Sequence, residues 1–142
     1  MNHHTTADFW DCYGRLPEAV QRLADAKYDL LSSADVFCLP SLYEGVPMSI
    51  LEALAWGVPC IATPVGGVSS VVADGVNGAL VPPGDASALA DALMRLLTDP
   101  AARGRLGSVG REGIARTHGI DAVADALDAL YRGMRTSAGA PR

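Results

Sequence analysis

Asp35-Val36-Phe37-Cys38-Leu39-Pro40, Ser41-Leu42-Tyr43-Glu44-Gly45-Val46, Pro47-Met48-Ser49-Ile50-Leu51-Glu52-Ala53-Leu54-Ala55-Trp56 and Gly57-Val58-Pro59-Cys60-Ile61-Ala62-Thr63 follow one another without a break, and their reading decides the fold. The first and last of these hold short apolar runs without polar alternation, the mark of strands covered on both faces of a parallel sheet. Between them Ile50, Leu51, Leu54 and Ala55 recur at helical spacing, and Gly57 followed by Pro59 ends the pattern. The stretch therefore predicts a βαβ unit, with a helix over 47–56 whose first turn holds Pro47.

Working outward, Gly78-Ala79-Leu80-Val81-Pro82 predicts a third buried strand. It follows a short apolar segment at 68–73 and the turn Asp74-Gly75-Val76-Asn77-Gly78, rich in residues that tolerate positive φ. Asp85 is placed to cap a helix reaching about Leu97, with Leu89, Leu93, Leu96 and Leu97 along one face. A last helix carries Ile120, Val123, Ala124, Leu127, Leu130, Tyr131 and Met134 at spacings of three and four, opposite Asp121, Asp125 and Asp128. Upstream, 16–33 predicts one or two helices and 9–13 a weak strand. The chain divides into a segment 1–15 of uncertain kinship, a body at 16–134 and a disordered tail at 135–142. Gly104, Gly107, Gly110 and Gly113 recur every third residue, but no strand precedes them and no G-x-G is present. They are read as a surface helix weakened by glycine. Strands alternating with helices make this an α/β chain with a Rossmann-like, doubly wound parallel sheet and C-terminal helices.

At 142 residues and 49% hydrophobic side chains the length suits one domain and not a two-domain enzyme. A net charge of -5 argues against a surface that binds nucleic acid by neutralising phosphates. Apolar runs are broken long before the roughly 18 residues a membrane span needs. The start, Met1-Asn2-His3-His4-Thr5-Thr6, lacks the basic and apolar regions of a secretory signal, so the expected location is the cytoplasm. Cys12, Cys38 and Cys60 form no C-x-x-C and are read as reduced core residues. No cluster with metal-ligand spacing is visible, and no metal or cofactor is expected.

The chemistry concentrates after the first strand. A helix starting at the carboxyl end of a parallel strand directs free N–H groups outward, a favourable place for phosphate. Glu52, on the same helix, can accept hydrogen bonds from two neighbouring sugar hydroxyls. The plainer reading stands beside it: Glu44 caps the helix or pairs with an arginine, and Glu52 is a solvated helix position.

Glu44 and Glu52 are separated by seven residues. With the preceding A-D-V-F-C-L-P-S, the following Pro64-Val65-Gly66-Gly67, the turn at 74–78 and Leu80-Val81-Pro82-Pro83-Gly84-Asp85, this series resembles the E-x7-E region of the family 4 glycosyltransferases, in order and spacing. These are retaining enzymes of the GT-B fold, in which two Rossmann-like domains face each other across a cleft. The resemblance covers roughly 34–97 and implies transfer of a sugar from a nucleotide-diphosphate sugar to an acceptor hydroxyl. It places Glu44 beside the reacting carbon of the donor sugar and Glu52 on the ribose. It places the backbone N–H groups of Gly45, Val46, Met48 and Ser49 toward the donor, and it gives Gly66 and Gly67 a close approach to the same ligand. A helix start that stabilises the departing diphosphate explains why such sites need no divalent metal.

Two departures qualify the resemblance. Ser69-Ser70 stand where the family has Pro-Glu, and the Arg and Lys that grip the diphosphate, together with the acceptor domain, have no counterpart before Glu44. The expectation is therefore the C-terminal part of a GT-B enzyme, inactive alone. The alternatives are a donor-binding subunit that needs a second chain for the acceptor domain, and a non-catalytic α/β remnant. The resemblance also admits peripheral attachment at the inner membrane face.

Overall fold

The computed structural model describes Arg15 and residues 17–137. The weak strand expected at 9–13 and Cys12 lie outside them. The described residues divide into two compact units, one ending at Ala34 and one starting at Asp35. In the first, helix α1 (Glu18–Ser33) starts after Pro17 and carries an exposed Arg22–Glu18 pair at 2.7 Å one turn apart.

The second unit holds a parallel three-stranded sheet in the order β1 (Phe37–Leu39), β2 (Cys60–Ala62), β3 (Gly78–Leu80). Phe37, Cys60 and Gly78 share one register row, Cys38, Ile61 and Ala79 the next, and Leu39, Ala62 and Leu80 the third. Adjacent rows face opposite sides of the sheet. On one side Ile61, Ala79 and Val81 form a core with Ala92, Leu96 and Leu106. These come from the sheet and from α3 (Ala86–Thr98) and α4 (Pro100–His118). Helix α2 (Met48–Ala55) links β1 to β2 and buries Ile50, Ala53 and Leu54. β2 is buried throughout, as its unalternating run predicted, and β3 is buried except at Leu80, whereas β1 is only half-buried along its length.

Caps set the helix starts as the side-chain chemistry requires. The Asp85 carboxylate accepts from the Ala88 N–H at 2.9 Å to open α3, and Asp99 accepts from Ala102 at 2.9 Å to open α4, with Pro100 in its first turn. Arg103 donates to the Leu96 and Leu97 carbonyls at the end of α3, at 2.8 and 2.9 Å, and pairs with Asp35 at 2.9 Å. One guanidinium thereby ties α3, α4 and the entry to β1. The turn before β3 is held by side chains: Asp74 accepts from the Leu80 N–H, and Asn77 both accepts from Ala73 and donates to the Val71 carbonyl.

Two expectations are corrected. Pro47 is the cap of α2 and not part of its first turn: its φ of -72° and ψ of 115° are extended, and its carbonyl already accepts from Ile50. The glycine-rich stretch is a helix, but not simply a weakened surface one. Gly107 and Gly110 are buried where α4 crosses α2, and a Cβ on Gly107 would overlap the Gly57 carbonyl oxygen. The side chain is absent because two backbones meet there. Gly104 and Gly113 have open space around them and fit the original reading.

Helix α5 (Ile120–Ser137) follows Gly119 and leaves Ile120, Leu127, Leu130, Tyr131 and Met134 exposed. Among the described residues, no helix is long and apolar enough to cross a membrane.

Cys38 and Cys60 are free thiols; Cys60 is in the core as expected, whereas Cys38 is only half-buried against it. Cys60 is fully buried, and burial pushes its thiol up from 9.0 to about 12. The unfolded chain therefore releases this proton first as pH rises. The stabilisation is whole below about pH 9 and is lost progressively as pH rises toward 12. A urea midpoint that falls between pH 9 and 11 more steeply in the wild-type chain than in Cys60→Ala is the expected result.

Candidate active site

The carboxyl ends of β1 and β2 carry the residues singled out by the sequence. After β1 the chain leaves the sheet at Pro40 and loops through Ser41 to Val46 before α2 begins. Leu42 and Tyr43 are exposed, 76% and 88%, so packing does little to hold this loop. Polar contacts from the loop after β2 hold it instead. The buried Thr63 hydroxyl donates to the Ser41 carbonyl, and the Gly67 N–H donates to the Gly45 carbonyl at 2.7 Å. Gly66 sits at φ +55°, and a Cβ there would overlap the Glu44 carbonyl oxygen. A Cβ on Gly67 would come within 2.8 Å of the Gly45 carbonyl oxygen. The paired glycines thus bring one loop against the backbone of the other.

Glu44, Gly45, Val46, Gly66 and Gly67 are gathered in this loop pair. Met48 and Ser49 open α2, and their N–H groups, in the first turn, have no carbonyl within the helix to bond. Glu52 lies just over one turn further along. Its residue is half-buried, with one carboxylate oxygen shielded from solvent. The structure also decides part of the plainer reading. The cap of α2 involves no side-chain hydrogen bond, and the Glu44 carboxylate instead accepts from the Ser41 hydroxyl at 2.7 Å. Among the described residues Glu44 forms no ion pair with an arginine.

Sequence reasoning missed Ser41 and Thr63. The signal was present for the first: a hydroxyl three residues before a loop carboxylate is within local hydrogen-bonding reach. For Thr63 there was none, because its partner is 22 residues away in the chain.

A helix that starts at the carboxyl edge of a parallel sheet, with paired glycines closing the loop before it, is an arrangement of the Rossmann-like class. The family model described as Glycosyl transferases group 1 matches residues 14–99, and the chain belongs to that family. It is 41% identical over 103 residues to an MMP alpha-(1->4)-mannosyltransferase of Mycolicibacterium hassiacum, covering 72% of this chain and 25% of that protein. Its fold is similar to the C-terminal domain of a glycosyl transferase group 1 family protein from Francisella tularensis, with 29% identity, a TM-score of 0.60, and coverage of 63% of this chain and 46% of that one. It is similar also to Anabaena HepE solved in complex with UDP-glucose, with 25% identity, a TM-score of 0.62, and coverage of 70% and 29%. The chain spans about a quarter of the length of the curated relatives it matches. What it contains is a C-terminal GT-B domain region of a family 4 glycosyltransferase.

Proposed function

We propose that this chain supplies the donor-binding side of a retaining glycosyltransferase, which moves a sugar from a nucleotide-diphosphate sugar to an acceptor hydroxyl. The observation that carries the reading is the locked loop pair: Glu44 is held at the carboxyl edge beside the start of α2, with Gly66 and Gly67 against its backbone. Glu44 lies beside the donor's reacting carbon, and Glu52 accepts from the ribose hydroxyls. The N–H groups of Gly45, Val46, Met48 and Ser49 face the sugar or the diphosphate, and Gly66 and Gly67 shape the same wall. Charge that develops on the leaving diphosphate is stabilised by the helix start. Residues 16–134 form the C-terminal part of the nucleotide-sugar-binding domain, and the acceptor side and the basic groups that grip the diphosphate come from sequence outside them. The chain alone binds donor weakly and does not turn over.

The test is titration of UDP, GDP and ADP sugars into the labelled chain, followed by amide shifts, with transfer assayed in parallel. Glu52→Ala is expected to weaken nucleotide binding by roughly tenfold or more, since a hydrogen bond to a charged group contributes about 1.5–3 kcal/mol. Unchanged affinity would remove Glu52 from the ribose, and turnover by the isolated chain would sink the claim of inactivity.

The exposed apolar stripe of α5 favours one second reading, a donor-binding subunit paired with a chain that carries the acceptor domain. Co-purification with such a chain supports it, and a stable monomer counts against it.

A further inference from the structure

A glutamate in a solvent-exposed loop has three side-chain torsions to order, at a cost of about 1.5–2 kcal/mol. Glu44 is half-buried in such a loop, between the exposed Tyr43 and an exposed Gly45. The backbone on either side of it is nevertheless fixed. The Ser41 carbonyl is held by the Thr63 hydroxyl and the Gly45 carbonyl by the Gly67 N–H, two clamps four residues apart on each loop. Inside this bracket the Ser41 hydroxyl reaches Glu44 Oε1 at 2.7 Å, a short, charge-assisted hydrogen bond. Thr63 is 1% exposed at the end of β2, so the anchor of the series is the sheet itself.

We infer that Ser41 is the positioning residue of Glu44. Its hydroxyl commits Oε1 and turns Oε2 toward the donor's sugar, and Thr63 fixes Ser41 from the core. The connection sheet, Thr63, Ser41, Glu44 transmits the rigidity of β2 to a carboxylate that its own loop cannot hold. The part of the inference that concerns the sugar rests on the proposed function; the part that concerns orientation does not.

The experiment measures the χ1 couplings of Glu44 in the isotopically labelled chain, with the Gly67 amide shift as a monitor of the loop clamp. In the wild-type chain and in Ser41→Thr the couplings are expected to report one rotamer. Ser41→Ala is expected to give averaged couplings with the Gly67 shift retained. Thr63→Val keeps the Ser41 hydroxyl but frees its backbone and is expected to give partial averaging, so the inference stays testable if Ser41→Ala does not fold. Titration with UDP-glucose, GDP-mannose and ADP-glucose, each beside its free nucleoside diphosphate, completes the test. Ser41→Ala is expected to weaken the sugar nucleotide that binds by about tenfold while leaving its free diphosphate unchanged. Glu44 couplings unaltered by Ser41→Ala would overturn the inference. Averaged couplings in that variant, with no probe bound by the wild-type chain, would uphold the positioning and overturn the functional reading instead.

Discussion

Gly107→Ala is expected to destabilise the folded chain by a net 2 kcal/mol or so, while Gly104→Ala, one turn earlier on the same helix, is expected to stabilise it by about 1 kcal/mol. Both substitutions add the same methyl group and gain the same helix propensity. They differ in what the methyl meets. At Gly104 nothing lies within 4 Å, so only the propensity term remains. At Gly107 the added carbon overlaps the carbonyl oxygen of Gly57, which cannot rotate away as a side chain can. Gly57 itself sits at φ +77° to end α2, so moving it disturbs the turn that feeds β2. Overpacking of this kind costs typically 1–3 kcal/mol and more where backbone must shift, which outweighs the propensity gain. Urea denaturation of the two variants measures the difference, and the opposite signs are the decisive feature. A stabilised Gly107→Ala would mean that α2 and α4 do not meet backbone to backbone.

The same comparison shows what the sequence could and could not reveal. Strand, helix and strand over 35–63 were legible because each element carries its own local signal: unalternating apolar runs, a three-and-four spacing, a closing glycine and proline. Asp85 was legible as a cap because the cap bonds only three residues along, to Ala88. The role of Gly107 was not legible. A glycine in a helix looks the same whether it faces water or another backbone, and its partner is 50 residues away in the chain. Pro47 fell one position short for a related reason. Proline is suited to the first turn, yet its φ of -72° serves the cap equally well, and only the ψ of 115° separates the two.

The site divides along the same line. The order of Glu44, Gly45, Glu52, Gly66 and Gly67 was readable as a series. That Gly66 and Gly67 press on the backbone of Glu44 and Gly45 was not, because it depends on the register of β1 against β2. The expectation that these glycines admit a ligand therefore gains a structural component: before any ligand binds, they admit the loop that carries Glu44. This is why the polar contacts of Ser41 and Thr63 matter, since the loop is held by bonds and close approach while its large side chains stay exposed.

Gly66→Ala is expected to carry the second large effect, and on two observables together. The residue lies at φ +55°, a left-handed conformation that costs an L-residue roughly 1–2 kcal/mol. Its Cβ would also overlap the Glu44 carbonyl oxygen. Gly75 and Gly84 separate the two contributions: they lie at φ +70° and +76° with nothing within 4 Å, so alanine there meets the conformational cost alone. Gly75→Ala and Gly84→Ala are expected to lose about 1 kcal/mol each. Gly66→Ala is expected to lose about 3 kcal/mol, because the loop clamp must open to admit the methyl. Opening it breaks the 2.7 Å bond from the Gly67 N–H to the Gly45 carbonyl, which is worth about 1 kcal/mol by itself, and displaces Glu44. Binding of the donor should therefore fall by more than tenfold in Gly66→Ala and stay unchanged in the other two variants. Urea midpoints and nucleotide-sugar titrations on the three proteins distinguish the outcomes. Equal stability losses at all three positions would mean that the Glu44 loop does not rest on Gly66. An unequal loss with unaltered donor binding would mean that the loop rests there but does not present Glu44 to the donor.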